Sequence, residues 1–142
     1  MPMFIRSASA KWNGTGKDGI GKVTSESNAL NLEYHWKNRF GDGSGTNPEE
    51  LIAAAHASCF TMKLAFVLDG LGHSADELNT TSKVTTDKAP GDWTITKIHT
   101  IVSGKVPGID LAKFQEAAEN AKLNCPISRG LNAELSVEAS LV

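Results

Sequence analysis

The stretch from Leu51 to about Leu68 constrains this chain more than any other part of it. Wound as a helix, it is apolar on nearly every side, with alanines at positions 54, 55, 57 and 65 among larger aliphatic and aromatic residues. A helix of that kind must be buried on most of its faces. One sheet covers only one side, so the simplest remedy is burial against a second subunit. A bilayer span wants about 20 apolar residues with few interruptions. Here His56, Ser58, Cys59, Thr61 and Lys63 interrupt the run, which therefore reads as a core helix. Its start is well marked. Asn47 suits the N-cap, Pro48 the first helical position, and Glu50 stands three residues after the cap as in a capping box. Glu49 adds negative charge to the first turn, where the helix dipole favours it. Gly70 and Gly72 end the helix.

The rest of the chain supplies strands and one more helix. Phe4 to Trp12 alternates loosely, Asn13 to Gly19 is turn-rich, Ile20 to Ser25 resumes as strand, and Tyr34 to Phe40 makes a third short run. The glycines of the first turn lack the spacing and Lys-Ser/Thr ending of a phosphate loop, so a turn is the simpler reading. Gly41 to Gly45 reads as a flexible connector. Beyond the long helix, residues 77–106 are rich in β-branched side chains. Ile95, Lys97, His99 and Ile101 face one way there, and Thr94, Thr96, Ile98, Thr100 and Val102 the other. After Pro107-Gly108, Asp110 caps a second helix whose face is Leu111, Phe114, Ala118 and Ala121, and which ends near Asn124-Cys125-Pro126. Glu134 to Leu141 alternates as a last strand. Strands and helices are partly segregated, which predicts an α+β fold with antiparallel sheets. With 142 residues and no repeat, low-complexity segment or linker, residues 1–142 are expected to form one domain.

Charge excludes several functions. Fourteen Lys and Arg against sixteen Asp and Glu give a net charge of -2, too little of a basic field for nucleic acid or an anionic membrane. The start of the sequence has no apolar core of the signal-peptide type, so a cytoplasmic, reducing location is expected. Cys59 and Cys125 are too few for a secreted disulfide framework. In a reducing compartment such a pair more often does redox or metal chemistry.

Cys59 falls about twelve residues, or roughly 18 Å, into the long helix, beyond the reach of its dipole. A low thiol pKa there needs a neighbouring cation. Cysteine is also an ordinary small core residue, and that reading stays open. His56 lies three residues earlier on the same face. With Cys59 and Cys125 it offers three zinc ligands, short of the four a structural site wants and without a Cys-x-x-Cys knuckle. A packed or surface-facing histidine is the plainer alternative. Cys125 precedes Pro126 at a helix end. If the two cysteines meet they can cycle between dithiol and disulfide, but spacing alone does not bring them together.

Asn38-Arg39-Phe40, the run from Gly45 through Asn47-Pro48-Glu49-Glu50-Leu51 to His56-Ala57-Ser58-Cys59-Phe60, Val106 to Asp110, and Ala121 to Ser128 with its Cys125-Pro126-Ile127-Ser128 together resemble the OsmC/Ohr family of thiol peroxidases. The likeness spans essentially the whole chain and looks closest to the osmotically inducible branch. It implies an intertwined homodimer in which two β-sheets, each with strands from both subunits, wrap around long central helices. It also implies reduction of hydroperoxides, preferably organic ones, in stress defence. By position Cys59 matches the peroxidatic cysteine, Cys125 the resolving one, Arg39 the activating arginine and Glu49 the glutamate that orients it. The organic hydroperoxide resistance branch carries its arginine in a Gly-Arg-Asp-Gly turn, which here reads Gly16-Lys17-Asp18-Gly19, favouring Arg39. Lysine lacks the planar fork that holds two anions at once.

Ten residues, about 15 Å of helix, separate Glu49 from Cys59. If both serve one site, Glu49 comes from a partner chain, which is also what the resemblance implies. Glu50, at the capping-box position, reads as structural. No metal or haem cofactor is expected. The implied reductant is a dithiol or a lipoylated protein. Phe40, Phe60 and Met62 are candidate apolar walls for an organic substrate, or else core. The competing function is a non-enzymatic stress protein whose cysteines and His56 bind a metal or are structural.

Overall fold

The computed structural model describes residues 3–41, 45–88 and 91–142. Most of the expected Gly41–Gly45 connector thus lies outside the described residues. In chain order the elements are β1 (Ala8–Asn13), β2 (Ile20–Ser25), β3 (Asn31–Tyr34), a 3-10 turn (Trp36–Arg39), α1 (Pro48–Gly70), β4 (Glu77–Asp87), β5 (Thr94–Lys105), α2 (Leu111–Asn124), α3 (Pro126–Gly130) and β6 (Glu134–Leu141). Backbone contacts gather them into two units, Met1–Leu51 and Ile52–Val142.

In the first unit β1, β2 and β3 form an antiparallel sheet in that order. The β1–β2 connection is closed by Gly19 N–H donating to Thr15 O at 2.8 Å and the Trp12 indole donating to the same carbonyl at 3.1 Å. A Cβ on Gly19 would stand 2.4 Å from that oxygen, so only glycine fits. The expected third strand, Tyr34 to Phe40, stops at Tyr34 and becomes the 3-10 turn. Asn38 causes the change. Its side-chain oxygen accepts the His35 N–H at 3.0 Å while its own N–H donates to His35 O at 3.1 Å. Such local bonds compete with a sheet ladder. The Asn38 carbonyl in turn accepts from the Asn47 side-chain amide at 3.0 Å, tying the turn to the start of α1. Asn47 caps that helix as expected, accepting from Glu50 N–H at 2.8 Å. The Glu50 carboxylate meets the Thr46 hydroxyl at 3.3 Å, one residue before the cap.

In the second unit α1 buries one row, His56, Phe60, Leu64 and Leu68, spaced by four residues. Phe60, Leu64 and Leu68 pack with Val102 and Val106 and with Phe114, Ala117, Ala118 and Ala121 of α2. By length and composition α1 would also suffice to cross a membrane, yet this row is occupied by the core. The sequence predicts burial on most sides; within one chain the opposite side stays open, with Met62 and Phe66 62% and 67% exposed.

The second sheet runs β4-β5-β6. The β4–β5 pair is antiparallel, but β5 and β6 are parallel, correcting the expectation of antiparallel sheets throughout. The physical reason is the connection between them. The α2–α3 segment carries the chain back so that β6 starts beside Lys97 and runs with β5, as a helical crossover does. Ile98, Thr100 and Val102 are buried on one face of β5, in the predicted alternation. On that face Gly104 lets Phe114 approach; a Cβ there would lie 2.7 Å from the ring.

Candidate functional site

The two free cysteines come together in the second unit. Cys59 projects from the middle of α1, half-buried, and its thiol neighbours Cys125, which is fully buried. The Pro126 break builds this meeting. Cys125 ends α2 with its N–H donating to Ala121 O at 3.0 Å, and opens α3 with its carbonyl accepting from Arg129 N–H at 3.0 Å. Both its backbone groups are committed, so its position is set by two helices at once. The Ile127 backbone amide lies beside the Cys59 sulfur. Helix α3 was not expected from the sequence; its signal was the Pro126 start after a helix end.

Burial pushes the Cys59 thiol above its ordinary pKa, and Cys125 adds to the rise both as hydrogen-bond partner and as a charge. The Ile127 amide and the Lys63 ammonium pull the other way and are outweighed. Lys63 was missed in the sequence. Its signal was a position four residues after Cys59, on the same helical face.

His56 is fully buried and both ring nitrogens are in use. Nδ1 pairs with Ser82 Oγ on β4 at 2.8 Å and Nε2 with Ser128 Oγ on α3 at 2.9 Å. Burial lowers its pKa, favouring the neutral ring. This is the packed-histidine reading, and His56 is turned to hydroxyls instead of thiols. Among the described residues no group of three or more His, Cys, Asp or Glu could hold a metal ion. Ser82 lies 26 residues from His56, and no spacing rule in the sequence links them.

The other expected pair lies in the first unit. Arg39 Nε donates to Glu49 Oε1 at 2.7 Å, joining the end of the 3-10 turn to the first turn of α1. Trp36 and Phe40, on either side of Arg39 in sequence, meet with their rings tilted at 57° and centroids 5.1 Å apart. Lys17 is exposed in the β1–β2 turn. The structure therefore unites Arg39 with Glu49 and Cys59 with Cys125. Helix α1 runs without a break from Pro48 to Gly70, so Glu49 and Cys59 are held about 15 Å apart along its axis. Of the candidate apolar walls, Phe60 belongs to the core, whereas Phe40 and Met62 are exposed. Met62, Ala57, Ser58 and Thr61 line an open groove along α1 that neither cysteine lines.

Comparison with known proteins identifies the family. The family model for OsmC-like proteins matches residues 41–140. Peroxiredoxin OsmC of Escherichia coli (strain K12) is 42% identical over 133 residues, covering 93% of each chain. The organic hydroperoxide resistance protein of Xanthomonas axonopodis pv. citri (strain 306) is 32% identical over 125 residues, covering 85% of each. Among solved structures, an organic hydroperoxide resistance protein from Elizabethkingia anophelis superposes with a TM-score of 0.77 at 23% identity, covering 99% of this chain and 96% of that one. An OsmC-like protein of unknown function from Vibrio cholerae gives a TM-score of 0.81 at 15% identity, covering 96% and 99%. The mixed α+β fold with its two small sheets is thus OsmC-like, and the chain belongs to the OsmC/Ohr family.

Proposed function

We propose that this chain is a cysteine-based peroxidase that reduces organic hydroperoxides in the cytoplasm, as part of a stress defence. The observation that carries the reading is that Cys59 and Cys125, 66 positions apart in sequence, are neighbours in the fold. The names of the relatives, peroxiredoxin and organic hydroperoxide resistance protein, point the same way.

In the proposed cycle the Cys59 thiolate attacks the distal peroxide oxygen. A sulfur–oxygen bond forms, the O–O bond breaks, and the leaving alkoxide takes a proton to become an alcohol. Cys59 is now a sulfenic acid. The Cys125 sulfur attacks it, an S–S bond forms, and the sulfenic oxygen leaves as water with the Cys125 proton. A dithiol reductant, free or as a lipoyl group on a protein, then reduces the disulfide and is itself oxidised to a disulfide. The thiolate does the chemistry, so no metal or other cofactor takes part.

The first step needs a thiolate that the chain by itself disfavours, since burial raises the Cys59 pKa. In our reading the missing cation is Arg39 of a second copy, held by its own Glu49. The exposed Met62–Phe66 side of α1 supports a homodimer, as does the axial distance between Glu49 and Cys59. The two central helices would bury those faces against each other, with sheets drawn from both chains around them. The guanidinium would also stabilise the charge growing on the leaving oxygen.

The test is thiol counting before and after one equivalent of cumene hydroperoxide, with metal analysis of the same sample. Loss of two thiols per chain in the wild type, and none in Cys59→Ser, is the expected result. Stoichiometric zinc with no peroxide-driven loss of thiols would instead favour a metal-binding stress protein.

A further inference from the structure

We infer that His56 is a positioning residue for disulfide closure: by bridging α1 to α3 through Ser128, it holds Cys125 within reach of Cys59. The inference rests on the peroxidase reading for its chemistry, but its geometry is independent of it. His56 stands one helical turn before Cys59, and Ser128 stands three residues after Cys125. Their bond at 2.9 Å therefore links the two short segments that carry the two sulfurs. The second bond, to Ser82 at 2.8 Å, anchors the ring to β4 and stops it from turning. His56 also stacks on Phe60, ring centroids 6.3 Å apart, a core residue that follows Cys59 directly.

The segment so held needs holding. Helix α3 has five residues, too few for a stable helix of its own. The neutral imidazole donates from one nitrogen and accepts at the other, so one serine accepts from the ring and the other donates to it. Both hydroxyls and both nitrogens are then satisfied, and at the buried His56–Ser128 end an unpaired group is costly. The ring touches neither sulfur through a hydrogen bond. Its main effect is on the closing step, in which the Cys125 sulfur displaces the sulfenic oxygen of Cys59 as water. Formation of the sulfenic acid, which precedes that displacement, uses α3 only through the Ile127 amide beside Cys59.

The variants Ser128→Ala, His56→Asn and His56→Gln test this in the full-length protein. Glutamine carries its terminal amide near the Nε2 position and can still reach Ser128; asparagine reaches only toward Ser82. With cumene hydroperoxide in single turnover, the rate of Cys59 loss should change far less than the rate of disulfide closure in all three. Disulfide closure should slow about tenfold in Ser128→Ala and His56→Asn, the effect of losing one buried hydrogen bond, with His56→Gln close to wild type. Dimedone-trapped sulfenic acid and sulfinic acid should rise in step in the two slow variants.

A second measurement needs no peroxidase activity. In a glutathione redox buffer, the disulfide-to-dithiol ratio should fall about tenfold in Ser128→Ala. If wild type fails to react with hydroperoxide while this shift is seen, the peroxidase reading falls and the positioning role stands. Closure as fast as wild type in folded Ser128→Ala, with an unchanged glutathione equilibrium, would overturn the inference. Ser128→Ala removes a single oxygen, so it keeps the question answerable should His56→Asn not fold.

Discussion

Arg39 Nε and Glu49 Oε1 face each other across 2.7 Å, one at the end of the 3-10 turn and the other in the first turn of α1. Both side chains are partly open to solvent, so the pair adds at most about 1 kcal/mol to stability. Its consequence is directional. A carboxylate fixed on Nε orients the planar guanidinium and leaves its two terminal nitrogens for a second anion. In the proposed dimer that anion is the partner's Cys59 thiolate.

The variant Glu49→Gln separates these effects. Thermal stability should change little, while the second-order rate with cumene hydroperoxide falls about tenfold through loss of a charge-assisted pair. Arg39→Lys should not recover the rate lost in Arg39→Ala, because an ammonium cannot hold carboxylate and thiolate together. The Cys59 pKa, followed by thiolate ultraviolet absorbance, should rise in all three variants. An unchanged pKa in Arg39→Ala would remove Arg39 from the site.

Much of the fold was legible before the structure. The Asn47 cap, the Asp110 cap and the β6 limits follow from local chemistry that a single segment carries. The parallel pairing of β6 was not legible, because it depends on how far the α2–α3 crossover carries the chain. The 3-10 turn was hidden for a related reason: aromatic and basic residues from Tyr34 to Phe40 suit a strand, and only the Asn38 side chain tips the balance. At the site, residue types and motif pointed to Cys59, Cys125, Arg39 and Glu49 as candidates. The contact of the two sulfurs and the Ser82–His56–Ser128 bridge come from tertiary packing, which no periodicity encodes.

Removal of the second cysteine should uncouple the two halves of the cycle. In Cys125→Ser the first oxidation of Cys59 proceeds, but the sulfenic acid persists and further peroxide carries it to sulfinic acid. Turnover with a dithiol should collapse, whereas dimedone labelling rises above wild type. Mass spectrometry of the Cys59 peptide after graded peroxide additions checks both. A Cys125→Ser protein that turns over at the wild-type rate would remove Cys125 from the mechanism.

The buried imidazole predicts an acid limb in stability. The pKa of His56 is lowered in the folded protein by burial, while the unfolded chain takes up its proton near 6.5. Below that pH the unfolded state holds more protons, so stability falls as pH drops, until the folded-state ring is protonated too. Above about pH 6.5 this contribution is fully present and flat. Urea midpoints measured from pH 5 to 8 should therefore fall on the acid side with an unchanged slope m. His56→Gln should lessen the fall. Equal pH dependence in wild type and His56→Gln would show that other groups govern it.

The strongest test of shared sites uses two inactive proteins. Arg39→Ala keeps Cys59 but lacks the guanidinium; Cys59→Ser keeps the guanidinium but lacks the thiol. If each site is built from one chain, mixed dimers contain no intact site and remain inactive. If Arg39 serves the other subunit's cysteine, a mixed dimer has one site with both groups intact and one with neither. Random pairing makes half the dimers mixed, so activity should return to about a quarter of wild type. Co-expression of the two chains with different affinity tags, followed by tandem purification of the mixed species, should raise this to about half, one intact site of two per dimer. No recovery in purified mixed dimers would end the two-chain reading of the site.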